Sequence, residues 1–123
     1  MTWELKDDRP IYLQLMDHVK RQIIAGIYRA GDKLPSVRDL AVDAAVNPNT
    51  MQKALGELER EGFLYSQRTS GRFITEDESM IREAKEALAM EQIHEFIEKM
   101  EAIGYRRDEI VELLQKVTEE AGQ

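Results

Sequence analysis

The side chains that could perform catalytic or metal chemistry are few in this 123-residue sequence. It has two histidines and no cysteine, so thiol catalysis, disulfides and zinc-ribbon ligation are excluded. Glu91 and Glu98 share a helical face with His94 and could hold a metal ion, but glutamates at these spacings are common on acidic helices. No Ser-His-Asp set, phosphate-binding loop or pair of catalytic carboxylates is recognisable. We therefore predict no metal, no cofactor and no enzymatic activity.

The remaining polar side chains must be positioned by the predicted elements, of which the first is a helix at residues 10–25. Pro10 suits its first position, and apolar residues recur every four positions from Ile11 to Ile23. Residues 33–35 are predicted to be extended, because the residue before Pro35 avoids the helical region.

Two further helices are predicted close together. Ser36 can cap a short second helix, with Asp39 three residues on as in a capping box. Asn47 can cap a third helix that has Pro48 at its first position and ends at residues 61–62. About three residues separate the two helices, which predicts a tight turn between them.

Two short strands are predicted at residues 63–67 and 72–75, joined by the polar turn 68–71. Two helices joined by a tight turn and followed by a polar-tipped hairpin describe a winged helix-turn-helix. In that fold the second helix of the pair enters the major groove of DNA.

The C-terminal part of the sequence predicts two more helices. An apolar stripe of about 25 residues stops at Gly104, and a shorter helix surrounds residues 110–117. The predicted fold class is therefore mainly α with a small β-hairpin. A winged helix-turn-helix domain occupies residues 1–75, and a helical hairpin that dimerises occupies residues 76–123.

Charge is distributed unequally between these two parts. The net charge is −7 overall, but it is +1 over residues 1–75 and −8 over residues 76–123. Phosphate would repel the acidic tail, so any DNA must be bound by the first 75 residues. No apolar run approaches the roughly 20 residues of a membrane span, and the N-terminus lacks the order of a secretion signal, which predicts a cytoplasmic protein.

Four stretches carry a resemblance to a known family. They are residues 10–14 (PIYLQ), 31–41 (GDKLPSVRDLA), 47–55 (NPNTMQKAL) and 58–64 (LEREGFL). In this order they resemble the GntR family of bacterial regulators, and the short two-helix tail resembles its YtrA-type subfamily. The resemblance runs continuously over about residues 9–75 and implies a regulator of transcription.

The resemblance also implies which side chains contact DNA. Arg38 stands where the family has an arginine that grips DNA near the start of the second helix, and the third helix reads DNA through its N-terminal residues. Many relatives have arginines where this chain has Pro48 and Gln52, so the base preference does not carry over. DNA binding does, because asparagine and glutamine can pair with adenine and lysine can reach guanine. The predicted DNA-binding residues are Ser36, Arg38, Asn47, Asn49, Thr50, Gln52, Lys53, Arg68, Thr69, Ser70, Gly71 and Arg72.

The apolar face of the tail is too wide to be covered by one short companion helix, so a second copy of the chain is expected to cover it. A homodimer predicts an operator that is an inverted repeat. About 48 residues leave little room for a small-molecule effector site. The predicted dimerisation residues are Leu88, Ile93, Phe96, Ile97, Met100, Ile110, Leu113, Leu114 and Val117.

The predicted function is thus sequence-specific regulation of transcription through a double-stranded DNA operator, as a repressor or alternatively an activator. A protein-interaction module is a second hypothesis, which the polar and basic character of the third helix and the hairpin tip disfavours. A metal- or metabolite-sensing regulator is a third, which would differ only in the tail. Two expectations stay open: Ser36 and Asn47 would cap helices in any protein, and Trp3 could fold onto the core or contact a partner subunit.

Overall fold

The structure is a computed structural model that describes residues 3–121. Its elements are α1 (Ile11–Ile24), α2 (Val37–Ala44), α3 (Pro48–Arg60), β1 (Leu64–Gln67), β2 (Gly71–Ile74), α4 (Glu78–Ala102) and α5 (Arg107–Ala121). Over these residues the predicted mainly helical fold with a β-hairpin is confirmed. The chain divides into two compact units, one ending at Glu83 and the other beginning at Ala84, so the division falls within α4.

The first unit is built around α3. One face of α3 carries Met51, Ala54, Leu55 and Leu58, which are all completely buried. The other core residues come from α1, α2, the hairpin and the short segments that precede α2 and β1, and their apolar side chains are likewise buried. They include Leu15, Val19, Ile23, Leu34, Leu40, Ala41, Phe63, Leu64 and Ile74. Burial at positions 51, 54, 55 and 58 leaves the intervening positions of α3 facing outward.

The turn between α2 and α3 is as tight as predicted. Ser36 Oγ accepts a hydrogen bond from the Asp39 amide at 3.1 Å, which confirms the cap of α2. The helix ends at Ala45, which adopts the left-handed conformation with φ of 56°. Asn47 then caps α3. A left-handed residue that is not glycine is strained, and here it allows three residues to reverse the chain.

The hairpin is extended by a third short segment. β1 and β2 pair antiparallel, with Leu64 opposite Ile74 and Gln67 opposite Gly71. Lys33 forms an isolated bridge with Phe73, and the amide of Leu34 donates to the carbonyl of Arg72 at 2.9 Å. The predicted extended piece before Pro35 therefore pairs with β2 and joins the hairpin to the start of α2.

The N-terminal arm folds onto α1 and α2, which answers the question that the sequence left open for Trp3. The Trp3 ring stacks on His18 of α1, with centroids 3.9 Å apart, and its Nε1 donates to Asp43 Oδ2 at 2.7 Å. Gln14, which is buried, exchanges hydrogen bonds with the Lys6 amide and carbonyl at 2.7 and 2.6 Å. Residues 3–9 are thus held against the core.

The second unit consists of most of α4 together with α5. Gly104, with φ of 100°, lies in the turn between them. Arg107 Nε pairs with Glu101 Oε2 at 3.4 Å across this turn, and Ile110 is buried. No helix among the described residues is long and apolar enough to cross a membrane.

Stability should depend on pH through His18. Burial lowers the pKa of His18 below its ordinary value of 6.5, against the opposing effect of the Asp43 and Asp17 carboxylates. The unfolded chain binds this proton at a higher pH than the folded chain does, so the free energy of unfolding should fall as pH drops through 6.5. We expect His18→Phe, which keeps a ring beside Trp3, to reduce this slope in urea unfolding followed by tryptophan fluorescence. An identical slope in the variant would show that His18 is not its source.

Candidate nucleic-acid interface

The N-terminal turns of α3 present an outward face of amide, hydroxyl and basic side chains. Asn47, Asn49, Gln52 and Lys53 are exposed, and Thr50 is half-buried. Because the opposite face of α3 is buried in the core, the packing of the helix determines which of its side chains face outward. This is the arrangement that lets a helix lie in a groove and hydrogen-bond to base edges.

Asn47 has a defined structural role at the start of α3. Its Oδ1 accepts a hydrogen bond from the amide of Asn49 at 2.7 Å, and Pro48 occupies the first helical position. The side chain therefore satisfies one of the amide groups that have no partner within the helix. Its carboxamide nitrogen is left to contact a ligand.

Lys53 is positioned by a residue of α1. Its Nζ lies 3.9 Å from the centre of the Tyr12 ring, which is a close cation–π contact. Tyr12 lies in α1, so this contact joins the outward face of α3 to α1. The contact holds the ammonium group near the surface of α3 without neutralising its charge.

The hairpin tip supplies the second part of the surface. Arg68 and Thr69 are exposed, Ser70 is half-buried, and Gly71 adopts a positive φ of 96°. Arg72 differs from the rest of the predicted set because its Nε pairs with Glu59 Oε1 of α3 at 3.2 Å. Arg72 is therefore directed toward α3, whereas Arg68 has no ion-pair partner among the described residues.

A cleft of about 430 Å³ connects the hairpin tip with the start of α2. It is lined by the predicted residues Ser36, Ser70, Gly71 and Arg72, and also by Lys33, Leu34, Pro35 and Asp39. Arg38 lies two residues after the cap residue Ser36 and is exposed. The structure thus brings the residues predicted around positions 36 and 70 together on one surface.

Lys33 is the functional candidate that the sequence analysis missed. Its side chain passes 3.7 Å from the place where a β-carbon on Gly71 would lie, and it is exposed. Lys33, Arg38, Lys53 and Arg68 form no ion pairs within residues 3–121, so four uncompensated cations surround the surface. Lys33 belongs to the motif at residues 31–41, but the sequence does not show that it lies beside the hairpin. That placement comes from its bridge to Phe73 and the approach of its side chain to Gly71.

The residues predicted for dimerisation lie in the second unit with different degrees of exposure. Leu88, Ile97 and Met100 are half-buried, and Ile110 is buried within the chain. The other five are exposed, from 36% for Leu113 to 58% for Val117, and include Ile93, Phe96 and Leu114. An apolar groove of about 420 Å³ runs between α4 and α5, lined mainly by Ile93, Phe96, Ile97, Ile110, Val111 and Leu114.

The family model described as bacterial regulatory proteins, gntR family, matches residues 11–74. The chain belongs to the GntR family. That match covers more than half of the sequence and spans all the elements from α1 to β2. Regulators of transcription make up this family, so the chain is a helix-turn-helix transcription regulator and not an enzyme.

Full-length relatives place it in the YtrA-type subfamily. It is 35% identical to the uncharacterized HTH-type transcriptional regulator YhcF of Bacillus subtilis, over 97% of this chain and 98% of the relative. It is also 35% identical to the transcriptional repressor YtrA of the same organism, over 92% and 88%.

Solved structures show the same fold. A GntR family regulator from Listeria monocytogenes superposes with a TM-score of 0.83 at 37% identity, covering 91% of this chain and 98% of that one. YtrA from Sulfolobus acidocaldarius gives 0.55 at 31% identity over the whole of both chains. The DNA-binding domain of AraR in complex with operator ORX1 gives 0.54 at 28% identity, covering 61% of this chain and 92% of that one.

The capping role of Asn47 generates a stability prediction. Asn47→Ala removes the acceptor for the Asn49 amide and should lower the free energy of unfolding by about 1 kcal/mol. Asn47→Asp is the control, because its carboxylate keeps an oxygen acceptor for the Asn49 amide and aspartate ranks with asparagine at an N-cap. Urea unfolding of both variants measures the difference. Equal losses would mean that the side-chain cap contributes nothing to the stability of α3.

Proposed function

We propose that the chain represses transcription by binding, as a homodimer, a DNA operator that is an inverted repeat. The observation that carries this proposal is the continuous surface formed by the N-terminal face of α3, the start of α2 and the hairpin tip. Its exposed groups are amides, hydroxyls and four cations without ion-pair partners among the described residues. That composition suits a phosphate-lined groove and not an apolar protein partner.

The proposed contacts fall into two classes. The first class reads base edges in the major groove, because the packing of α3 turns the side chains of its N-terminal turns outward. These residues are Asn47, Asn49, Thr50, Gln52 and Lys53. Phosphates are held by cations and hydroxyls around them, which fix the register of the protein on the duplex. These phosphate contacts are Arg38, Arg68 and Lys33, with Ser36, Thr69, Ser70 and Gly71 beside them.

Support for this docking comes from the operator complexes of AraR, whose DNA-binding domain shares the fold of residues in this region. The name of the Bacillus relative YtrA supports repression as the sign of regulation. The charge of the chain agrees, since the first 75 residues are slightly basic and the acidic residues are concentrated in the remainder.

The groove between α4 and α5 is proposed to hold the same face of a second copy. Exposed Ile93, Phe96, Val111 and Leu114 form an apolar patch, and a patch of this kind on a charged helix pair is a site of association. A two-fold interface pairs equal surfaces and so presents two identical DNA-binding units. Two equal units require two equal half-sites in opposite orientation.

In vitro selection from random duplex DNA tests the proposal directly. The full chain should enrich an inverted repeat whose half-site spacing follows from the dimer. Enrichment of a single unrepeated site would contradict the homodimer, and the absence of any enrichment would contradict DNA recognition and favour the protein-docking alternative.

Two substitutions separate phosphate contacts from base contacts. Arg38→Ala should weaken binding to all duplexes and reduce the slope of log affinity against log salt concentration by about 0.9. Asn49→Ala should leave that slope unchanged and alter the enriched sequence, at a cost of about 1–3 kcal/mol for each base that it reads. Fluorescence anisotropy with the selected duplex measures both. If neither variant changed binding, the docking surface would be wrong.

Dimerisation predicts a specific defect in the tail. Phe96→Asp places a charge in the apolar groove and should weaken the dimer about tenfold or more, because burial of an aromatic ring is lost in each copy. Val42→Asp is the matched control, since Val42 is 76% exposed on α2 in the other unit. Sedimentation velocity measures the dimer fraction. A monomeric unmodified chain would refute the proposal and leave the groove available to a small apolar ligand.

A further inference from the structure

One carboxylate oxygen of α3 holds both strands of the hairpin. Glu59 Oε1 accepts a hydrogen bond from Ser66 Oγ at 2.6 Å and another from Arg72 Nε at 3.2 Å. Ser66 and Arg72 are directly opposite each other in the antiparallel pairing of β1 with β2. This cross-strand pair is therefore bonded to α3. It lies one residue from the Gln67–Gly71 pair at the tip.

The ion pair within this group is partly shielded from water. The Arg72 side chain is only 18% exposed and that of Glu59 is 37% exposed. A charge-assisted bond in such a setting is stronger than an ion pair in open solvent. The arginine is thus held in one place and is not free to search for a partner on a ligand.

Arg72 also reaches the part of α3 that reads DNA. Its Nη1 lies 3.5 Å from Gln52 Oε1. Gln52 and Glu59 are seven residues apart and so lie on the same face of the helix, two turns from each other. The guanidinium thus contacts the ends of both side chains, one from the N-terminal half of α3 and one from its C-terminal half.

The position of this contact decides where the hairpin tip lies. Main-chain hydrogen bonds also hold the hairpin, from the Thr75 amide to the Phe63 carbonyl at its base and from the Leu34 amide to the Arg72 carbonyl in β2. The side-chain contact with Glu59 adds a second tie at the level of Arg72, and it joins both strands to α3 through the Ser66–Arg72 pair. Arg68, in the turn beyond it, is carried along with the strands.

We infer that Arg72 is a positioning residue that locks the wing to α3 through Glu59, and not one of the residues that bind phosphate. The lock sets the distance between the base-reading side chains of α3 and Arg68 at the wing tip. This inference rests on the proposed binding of DNA.

Salt dependence distinguishes a positioning arginine from a phosphate contact. With the duplex recovered by selection, Arg72→Gln should lower affinity about tenfold and leave the slope of log affinity against log salt unchanged. Arg68→Gln, the matched control at the wing tip, should lower that slope by about 0.9. A slope reduced by about 0.9 in the Arg72→Gln chain as well would overturn the inference.

A double-mutant cycle tests whether Arg72 acts through Glu59. Glu59→Ala should lower affinity about as much as Arg72→Gln, and the two together should cost no more than one alone. Glu59→Gln, which keeps an oxygen acceptor for Ser66 and Arg72, should recover part of the loss. Additive losses, or an unaffected Glu59→Ala chain, would show that Arg72 works independently and would overturn the lock.

Urea unfolding without DNA separates failure of this inference from failure of the proposed function. The four proteins are the unmodified chain, Glu59→Ala, Arg72→Gln and the double variant. Coupling between the two substitutions is expected in the absence of DNA, because the contact is present in the free chain. The absence of coupling would overturn the lock itself. Coupling in a chain that enriches no sequence in the DNA selection would refute the proposed function. The pair would then be a structural ion pair only, which would also overturn the positioning role.

Discussion

The burial of one face of α3 is the constraint on which the rest of the first unit depends. Met51, Leu55 and Leu58 are completely inaccessible, and they are surrounded by core residues from α1, α2 and the hairpin. Rotating the helix by even one residue would expose them and lose the hydrophobic stabilisation of several large side chains. The orientation of Asn49 and Gln52 toward the exterior is a direct consequence of that core, which gives this candidate surface a rigid support.

Side-chain contacts between elements then refine this surface. Tyr12 of α1 holds Lys53, Glu59 of α3 holds Arg72, and the segment containing Lys33 pairs with the hairpin. Each contact places a charged group relative to α3 before any ligand is present. A surface organised in advance loses less conformational entropy on binding than one whose long side chains are free.

The two units divide the physical requirements of a regulator between them. The first has a buried core and an outward polar face, whereas α4 and α5 of the second leave apolar side chains such as Phe96 and Leu114 exposed. The strongly acidic character of residues 76–123 suits them to a role away from phosphate. Membership in the GntR family and similarity to full-length YtrA-type relatives agree with this organisation.

The sequence by itself determined the order of the elements, the caps at Ser36 and Asn47 and the tight turn, because these depend on local periodicity, capping and turn chemistry. The family followed from the resemblance of its motifs. It also identified most of the candidate surface. The tertiary structure decided how charged and aromatic side chains are paired, and there the sequence pattern was silent. Trp3 donates a hydrogen bond to Asp43, and Arg72 pairs with Glu59 and is not free at the hairpin tip. Such contacts join residues far apart in the chain, so they follow only from the placement of whole elements against a common core.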